Sequence, residues 1–477
     1  MKTNKYSITL LLSIVILIVL FYILHVLGAD TVENRLYLKH FLSGAFVVGI
    51  LLTGWYEMGK PGISKSLFNV RYLLLLSLSL LLVLSINQQA GTYATGFFVF
   101  CSVIYLLKTG KWYSINKIYY VIFAFALLRI VGTYGTVEGF RVPDKVLSFY
   151  FLPLAFSCFR IEKNTALRIL RFFFRSIMIY MSFALIYWWS NIQFFGIPVI
   201  DWLTKKMGEV GGLEPFHWAT SWAYYVHPSY ISLVVVSAMI SGFYLYYKKQ
   251  ASSEVYKVEL TIFSVLSVLT VLILESRIGT VCLGFVFSVT GLYYLHLKSH
   301  YFKTAFFGLI LIGVIGLFFK GDSVSGFLTD NVRKTDYTLA VNYIKDHPWW
   351  GAGFHEQATA LSSQAQIMQD TLPLLPRHKT YTHNQFLGEM VQFGIPGAIF
   401  LILLLIVLFR DALLSRSYLL QVFLGVYLVF MLIEEPLYVQ AGITRFLVFL
   451  TFFIHISESK KPIKCISIFK RSLKSQE

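Results

Sequence analysis

The chain has 477 residues, of which 57% are hydrophobic and only 14% charged, and it carries a formal net charge of +17. A soluble domain carries about 25% charged residues, so this composition excludes an ordinary water-soluble globule and points to lipid as solvent. The positive balance then reads as the Lys/Arg excess of cytoplasmic loops, not as affinity for nucleic acid.

A helix needs about 20 apolar residues to cross a hydrocarbon core roughly 30 Å thick. Runs that can do this fall near 7–28, 36–56, 70–86, 92–107, 118–133, 145–159, 171–190, 224–247, 258–275, 278–297, 304–319, 384–409, 417–433 and 439–456. The run at 145–159 is short. The run at 384–409 contains Gly394-Ile395-Pro396-Gly397, which predicts a kink or interruption. The expected fold class is an all-α polytopic membrane protein with about 12–14 transmembrane helices and one long, partly helical periplasmic loop.

With the N-terminus inside, the connections alternate so that most of the 41 Lys and Arg fall inside. This predicts a multi-pass membrane protein with both termini cytoplasmic and the long loop on the outer face. The first run is longer than a signal-peptide core and lacks a convincing A-x-A site, so it reads as an anchor. The expected organisation is about eleven helices over 1–320, a periplasmic loop over 321–383, about three helices over 384–456 and a basic cytoplasmic tail over 457–477.

The long loop carries helical pattern. Asp330 is placed to cap a helix whose Tyr337, Ala340, Val341 and Ile344 share a face, and Pro348 stops it. A second stretch, 355–370, puts Ala358, Leu361, Ala365 and Met368 on one side. Cys101, Cys158 and Cys282 lie in apolar runs and Cys465 in the basic tail, so neither a disulfide framework nor a CxxC metal site is expected. No Gly-rich phosphate loop and no H-E-x-x-H motif occurs.

On this topology, polar residues crowd one face. They are Glu275-Ser276-Arg277, Arg333, the segment His347 to Phe354, Arg377, His378, Thr382 to Gln385, Glu434 and Glu435, and His227. Arg129 and Arg445 fall in the outer halves of helices. A charge at the bilayer centre costs about 2.5–3.5 kcal/mol on insertion scales, so these arginines either snorkel to headgroups or serve a site. Glu275 is placed to neutralise Arg277, and the two glutamates to balance local charge. Thr382 and Gln385 have capping-box spacing around His383. That spacing sets His383 at a helix start, where the positive dipole end favours a neutral imidazole suited to act as a base.

Three motifs occur in order: Ser276-Arg277-Ile278-Gly279, an arginine followed by His347-Pro348-Trp349-Trp350-Gly351-Ala352-Gly353-Phe354, and a His383-Asn384 segment running to Gly397. Together with His227-Pro228-Ser229-Tyr230, they resemble the O-antigen ligase and polymerase superfamily over about 220–440. The resemblance implies a glycosyltransferase that moves a glycan from an undecaprenyl diphosphate carrier to an acceptor outside the inner membrane, lipid A core being the first choice. It implies Arg277 and Arg333 as diphosphate ligands and His383 as catalytic base, with no metal and no other cofactor. Arg377, Glu434, Glu435, His227, Arg129 and Arg445 are accessory candidates. The expected partners are membrane lipid, the lipid-linked glycan donor and the acceptor, with no nucleic acid. A polymerase extending the glycan on its own carrier, or a ligase with a protein acceptor, shares the same donor chemistry. A lipid-linked sugar flippase should show repeated halves and broken helices at mid-membrane, and no repeat is visible.

Overall fold

The computed structural model describes residues 44, 46–54, 57, 69–113, 116–131, 142–194, 228–248, 255–274, 276–295, 331–354, 356–368, 381–458 and 465–467. The predicted runs at 7–28 and 304–319 lie outside these residues, as do His227, Glu275, Asp330, Arg377 and His378.

The molecule is a helical bundle. In chain order its helices are α1 (Val70–Leu84), α2 (Gln88–Thr109), α3 (Lys117–Val131), α4 (Val142–Ser157), α5 (Lys163–Phe194), α6 (Pro228–Lys248), α7 (Lys257–Ile273) and α8 (Arg277–Leu295). They continue with α9 (Asn331–Asp346), α10 (Gln357–Ile367), α11 (Gln385–Leu414), α12 (Tyr418–Met431) and α13 (Gln440–Glu458). A short antiparallel ribbon, β1 (Lys111–Tyr113) with β2 (Cys465–Ser467), ties the α2–α3 connection to the C-terminal tail. Among the described residues, five helices are long and apolar enough to cross a membrane: α2, α11, and the stretches 163–186 of α5, 228–247 of α6 and 440–457 of α13. Most predicted runs that fall on described residues coincide with helices to within a few residues, the expected variation at helix ends, but α5 starts at Lys163, well before the run predicted at 171–190, and α11 continues to Leu414 beyond the predicted 409.

Helix α6 is the centre. Its span is almost wholly buried, and it packs against α5, α7, α8, α12 and α13. Its Ser232, Ser237 and Ser241 hydroxyls each donate to the carbonyl four residues back, at 2.8–3.0 Å. Each serine thus satisfies its polar group within its own helix and presents a small surface to a neighbour, as helices packed in lipid require. Gly242 lets α6 approach Phe174 of α5, and Gly425 lets α12 approach Phe285 of α8.

Charged residues gather at two opposite ends of the bundle. Glu57 pairs with Arg171 and Arg175, and Arg175 also pairs with Glu259, at 2.5–2.7 Å. Arg71 pairs with Glu162 at the same end. The second group surrounds the first turn of α11.

Candidate functional site

Helix α11 carries the site because it is broken. Gly394 has φ 67° and ψ −165°, and Pro396 follows within the same turn. Pro396 has no N–H, and the turn at Gly394 diverts that of Ile395, so the carbonyls of Val391 and Gln392 lose their helical donors. The loop after α9 replaces them. Ala352 N–H donates to Val391, Gly353 N–H donates to Gln392, and Ile395 N–H donates back to Pro348, each at 2.8 Å. Non-helical backbone at membrane depth survives only where protein satisfies it. The Pro-Trp-Trp-Gly-Ala-Gly sequence is that protein. A side chain at Gly351 would collide with the backbone of residues 391–393, and Gly353 has φ 98°, so both glycines are structural requirements of the plug.

The same contact seats α9 and α10 on α11. Leu339, Ala340 and Ile344 of α9 meet Ala360 and Leu361 of α10 and Val391 of α11 in one apolar cluster. Ala365 and Met368 pack against it as the periodicity predicts, while Ala358 is only half-buried. Val341 is 40% exposed and Leu339 takes the buried position instead. The inward face of α9 is therefore turned from the predicted one, and it also carries Asp336.

At the N-terminus of α11 the predicted Thr382–Gln385 capping box does not form. Asn384 is the N-cap and accepts from Phe386 N–H and Leu387 N–H at 3.0 and 3.1 Å. The Thr382 hydroxyl instead contacts Glu435 and the Asn384 carbonyl. The Gln385 amide donates to Glu389, while its carbonyl oxygen accepts Leu437 N–H. His383, immediately before the cap, has φ 47°. A histidine in the left-handed region is uncommon, and its neighbours Thr382 and Asn384 hold it there from both sides.

The His383 ring lies between two carboxylates. Nδ1 is 3.7 Å from Glu434 and Nε2 is 4.0 Å from Asp336. Arg333, three residues before Asp336 on the same helix, stands 3.6 Å from Glu434. Ser229 of α6 also donates to Glu434, at 3.4 Å. The His383 side chain remains 33% exposed. Glu434 beside its ring holds the imidazole above the usual histidine range near 6.5, against burial and the opposing charge of Arg333. The helix N-terminus favours the neutral imidazole, while the neighbouring Glu434 carboxylate favours the charged one.

Glu434 and Glu435 face different surroundings. Glu435 is buried against Thr382 and the Gln357 amide, which donates at 3.0 Å. Desolvation pushes its carboxyl up to about 7, so it holds its proton to a higher pH than an exposed glutamate, while Glu434 is paired with cations. The His-Pro-Ser-Tyr stretch supports this corner. Pro228 opens α6, Ser229 reaches Glu434, and the Tyr230 hydroxyl reaches the Glu435 carbonyl at 3.5 Å.

Arg277 is exposed at the first position of α8. Ser276 caps this helix by accepting Gly279 N–H at 3.0 Å, and Gly279 packs directly on Ser232, one turn beyond Ser229. The Ser-Arg-x-Gly motif therefore sets Arg277 at the same end of the bundle as Glu434.

The two intramembrane arginines do not snorkel; both are fully buried. Arg129 pairs with Glu389 of α11, and its guanidinium sits 4.5 Å from the Phe125 ring and 4.9 Å from the Phe354 ring. Arg445 donates to the carbonyls of Ser85 and Ile86, at 2.6 and 3.1 Å, and so caps the C-terminal end of α1. Asp336, Glu389 and Gln357 escape sequence reading. Their only local signal is a polar residue on an otherwise buried helix face.

The structure is thus a polytopic helical bundle with a half-open cluster of one histidine, two carboxylates and an arginine at one end. Residues 262–402 match the family model described as Wzy_C, O-Antigen ligase, and this match supports the O-antigen ligase superfamily. The matched segment contains Arg277, Arg333 and His383, while Glu434 and Glu435 lie beyond it. No curated protein matches the chain.

Proposed function

We propose that this chain is a membrane glycosyltransferase that moves a glycan from an undecaprenyl diphosphate carrier to an acceptor hydroxyl at the periplasmic face of the inner membrane, with lipid A core as the acceptor. The observation that carries the reading is the His383–Glu434–Arg333–Asp336 cluster, assembled around residues of the matched ligase segment.

The chemistry follows from the bonds involved. The acceptor oxygen attacks the anomeric carbon as the carbon–oxygen bond to the diphosphate breaks, and the departing oxygen keeps the electron pair. His383 takes the acceptor proton, and Glu434 orients the ring and stabilises the imidazolium that results. A positioned base of this kind contributes roughly 10²–10⁴ in rate. Arg333 and Arg277 meet the diphosphate charge, for which the planar guanidinium fork is suited. Attack opposite the leaving group inverts the anomeric centre.

A deletion strain tests this through its surface glycans. Full-length chains stranded on the carrier are the expected result. Single repeat units on the finished lipid would reassign the protein as a polymerase, and an unchanged glycan profile would overturn the reading.

A further inference from the structure

A second polar site lies at the other end of the bundle. His455 sits in the last turn of α13, whose first turn follows the Glu434–Glu435 loop. The helix from Gln440 to His455, roughly 22 Å at 1.5 Å per residue, separates it from the end that carries the His383 cluster. Around His455, the start of α1, the end of α2, β1 and the α4–α5 connection enclose a cavity of about 480 Å³. This is within the roughly 300–1,000 Å³ range of small-ligand sites.

Among the described residues, its walls carry three cations, Arg71, Arg160 and Lys163, against one carboxylate, Glu162. Glu162 pairs with Arg71 at 2.7 Å, with both side chains open to solvent. The Arg160 guanidinium lies 5.6 Å from the centroid of the Tyr113 ring. His455 adds no positive charge, because its Nε2 accepts the Ile161 N–H at 3.0 Å, which leaves the ring proton on Nδ1. The lining is therefore positive overall, and an aromatic ring and a neutral imidazole help to shape it.

We propose that this cavity binds a phosphate-bearing anion, carried there by the headgroup of an anionic membrane lipid. Two observations favour the lipid as source. The cavity opens where α1, α2, α4 and α13 end together, the level at which headgroups lie on a spanning bundle. Basic pockets between transmembrane helices at that level recognise anionic headgroups. The site requires nothing of the His383 chemistry.

The test uses the full-length protein purified in detergent. Bound lipid is read by native mass spectrometry, and the thermal unfolding midpoint by a melting assay. Phosphatidylglycerol, phosphatidylcholine and inorganic phosphate are added separately. Phosphatidylglycerol should bind and raise the midpoint, and phosphatidylcholine should not. The Arg160→Gln/Lys163→Gln double variant should bind phosphatidylglycerol at least tenfold more weakly. Glu162→Gln, at an exposed position, should bind it several-fold more tightly, which guards against a loss that merely reflects misfolding. Stabilisation by millimolar inorganic phosphate alone, lost in the same double variant, would support the phosphate site but make its natural occupant a soluble anion. Equal effects of the two lipids, or wild-type anion binding by the double variant, would overturn the proposal.

Discussion

Two charged clusters share helix α11 and differ in every physical respect. One turn inside the helix, Glu389 and Arg129 form a dry pair, both wholly inaccessible and walled by Phe125, Phe354 and Phe393. Just before its N-cap, His383, Glu434, Arg333 and Asp336 stand 3.6–4.0 Å apart, too loosely for direct hydrogen bonds, and the histidine is a third exposed. The closed pair has no room for a ligand. It bonds through Gln385 to Leu437 N–H and so ties α3, α11 and the 432–439 loop into one corner. The open cluster is loosely spaced and its histidine is reachable from solvent, as the proposed transfer requires. The dry pair fixes the loop, and the loop presents Glu434 to His383.

The comparison breaks most visibly at the dry pair. Removing one partner of a buried ion pair leaves the other charge uncompensated, at a cost of about 3–5 kcal/mol. Arg129→Met should therefore lower folding stability by that amount in a chemical denaturation series, and Arg129→Met/Glu389→Leu should recover most of it. Recovery of transfer activity in the double variant would support a purely positioning role. Persistent inactivity with restored stability would argue that Arg129 has a direct part in transfer.

At the open cluster, stability and activity should separate. Arg333→Lys keeps a positive charge near Glu434 but loses the planar fork, so transfer should fall at least tenfold with little change in the unfolding midpoint. Arg277→Lys should behave likewise. Wild-type rates in both variants would exclude these arginines as diphosphate ligands.

Glu435 offers a third measurement. Its carboxyl rests near 7 in the folded protein and near 4.5 when unfolded, so the folded state holds the proton more tightly. Stability from this group is therefore highest below pH 4.5 and falls as pH rises from there to about 7. Glu435→Gln should remove that slope and make the protein more stable than wild type at pH 8, by a melting assay in matched buffers. An unchanged slope would mean that Glu435 is not the buried proton holder. The smallest effect is expected at Asp336→Asn, where loss of one of two flanking carboxylates should lower the His383 proton affinity slightly.

Much of the fold was legible because a membrane span declares itself by length and apolarity alone. Most of the described helices fall on the predicted runs, and the Gly394–Pro396 break appears where two helix-breaking residues stand together. The motif residues were legible as a set, yet their work was not. The His-Pro-Trp-Trp-Gly-Ala-Gly-Phe segment reads as a loop, and only the structure shows it as the donor set for a broken helix. Thr382 and Gln385 had capping-box spacing, but Asn384 offered a competing cap, and Glu435, 53 residues away in sequence, drew the threonine hydroxyl away. Arg129 meets Glu389 across 260 residues, a distance over which local pattern carries no information. Asp336 was missed for a similar reason: the buried face of α9 is set by its contact with α11, not by its own periodicity.

The central claim is that His383, held by Glu434, accepts the proton of the attacking hydroxyl. The direct test is the initial rate of glycan transfer against pH for the purified enzyme and its Glu434→Gln variant, with His383→Ala as the reference. A base must be neutral to act, and Glu434 favours the charged ring. The wild-type rate should therefore rise with pH through a midpoint above 6.5, and in Glu434→Gln that midpoint should move down while the protein still folds. His383→Ala should lose roughly 10²–10⁴ in rate at every pH. A pH profile that Glu434→Gln leaves in place, or near-normal turnover by His383→Ala, would contradict the account.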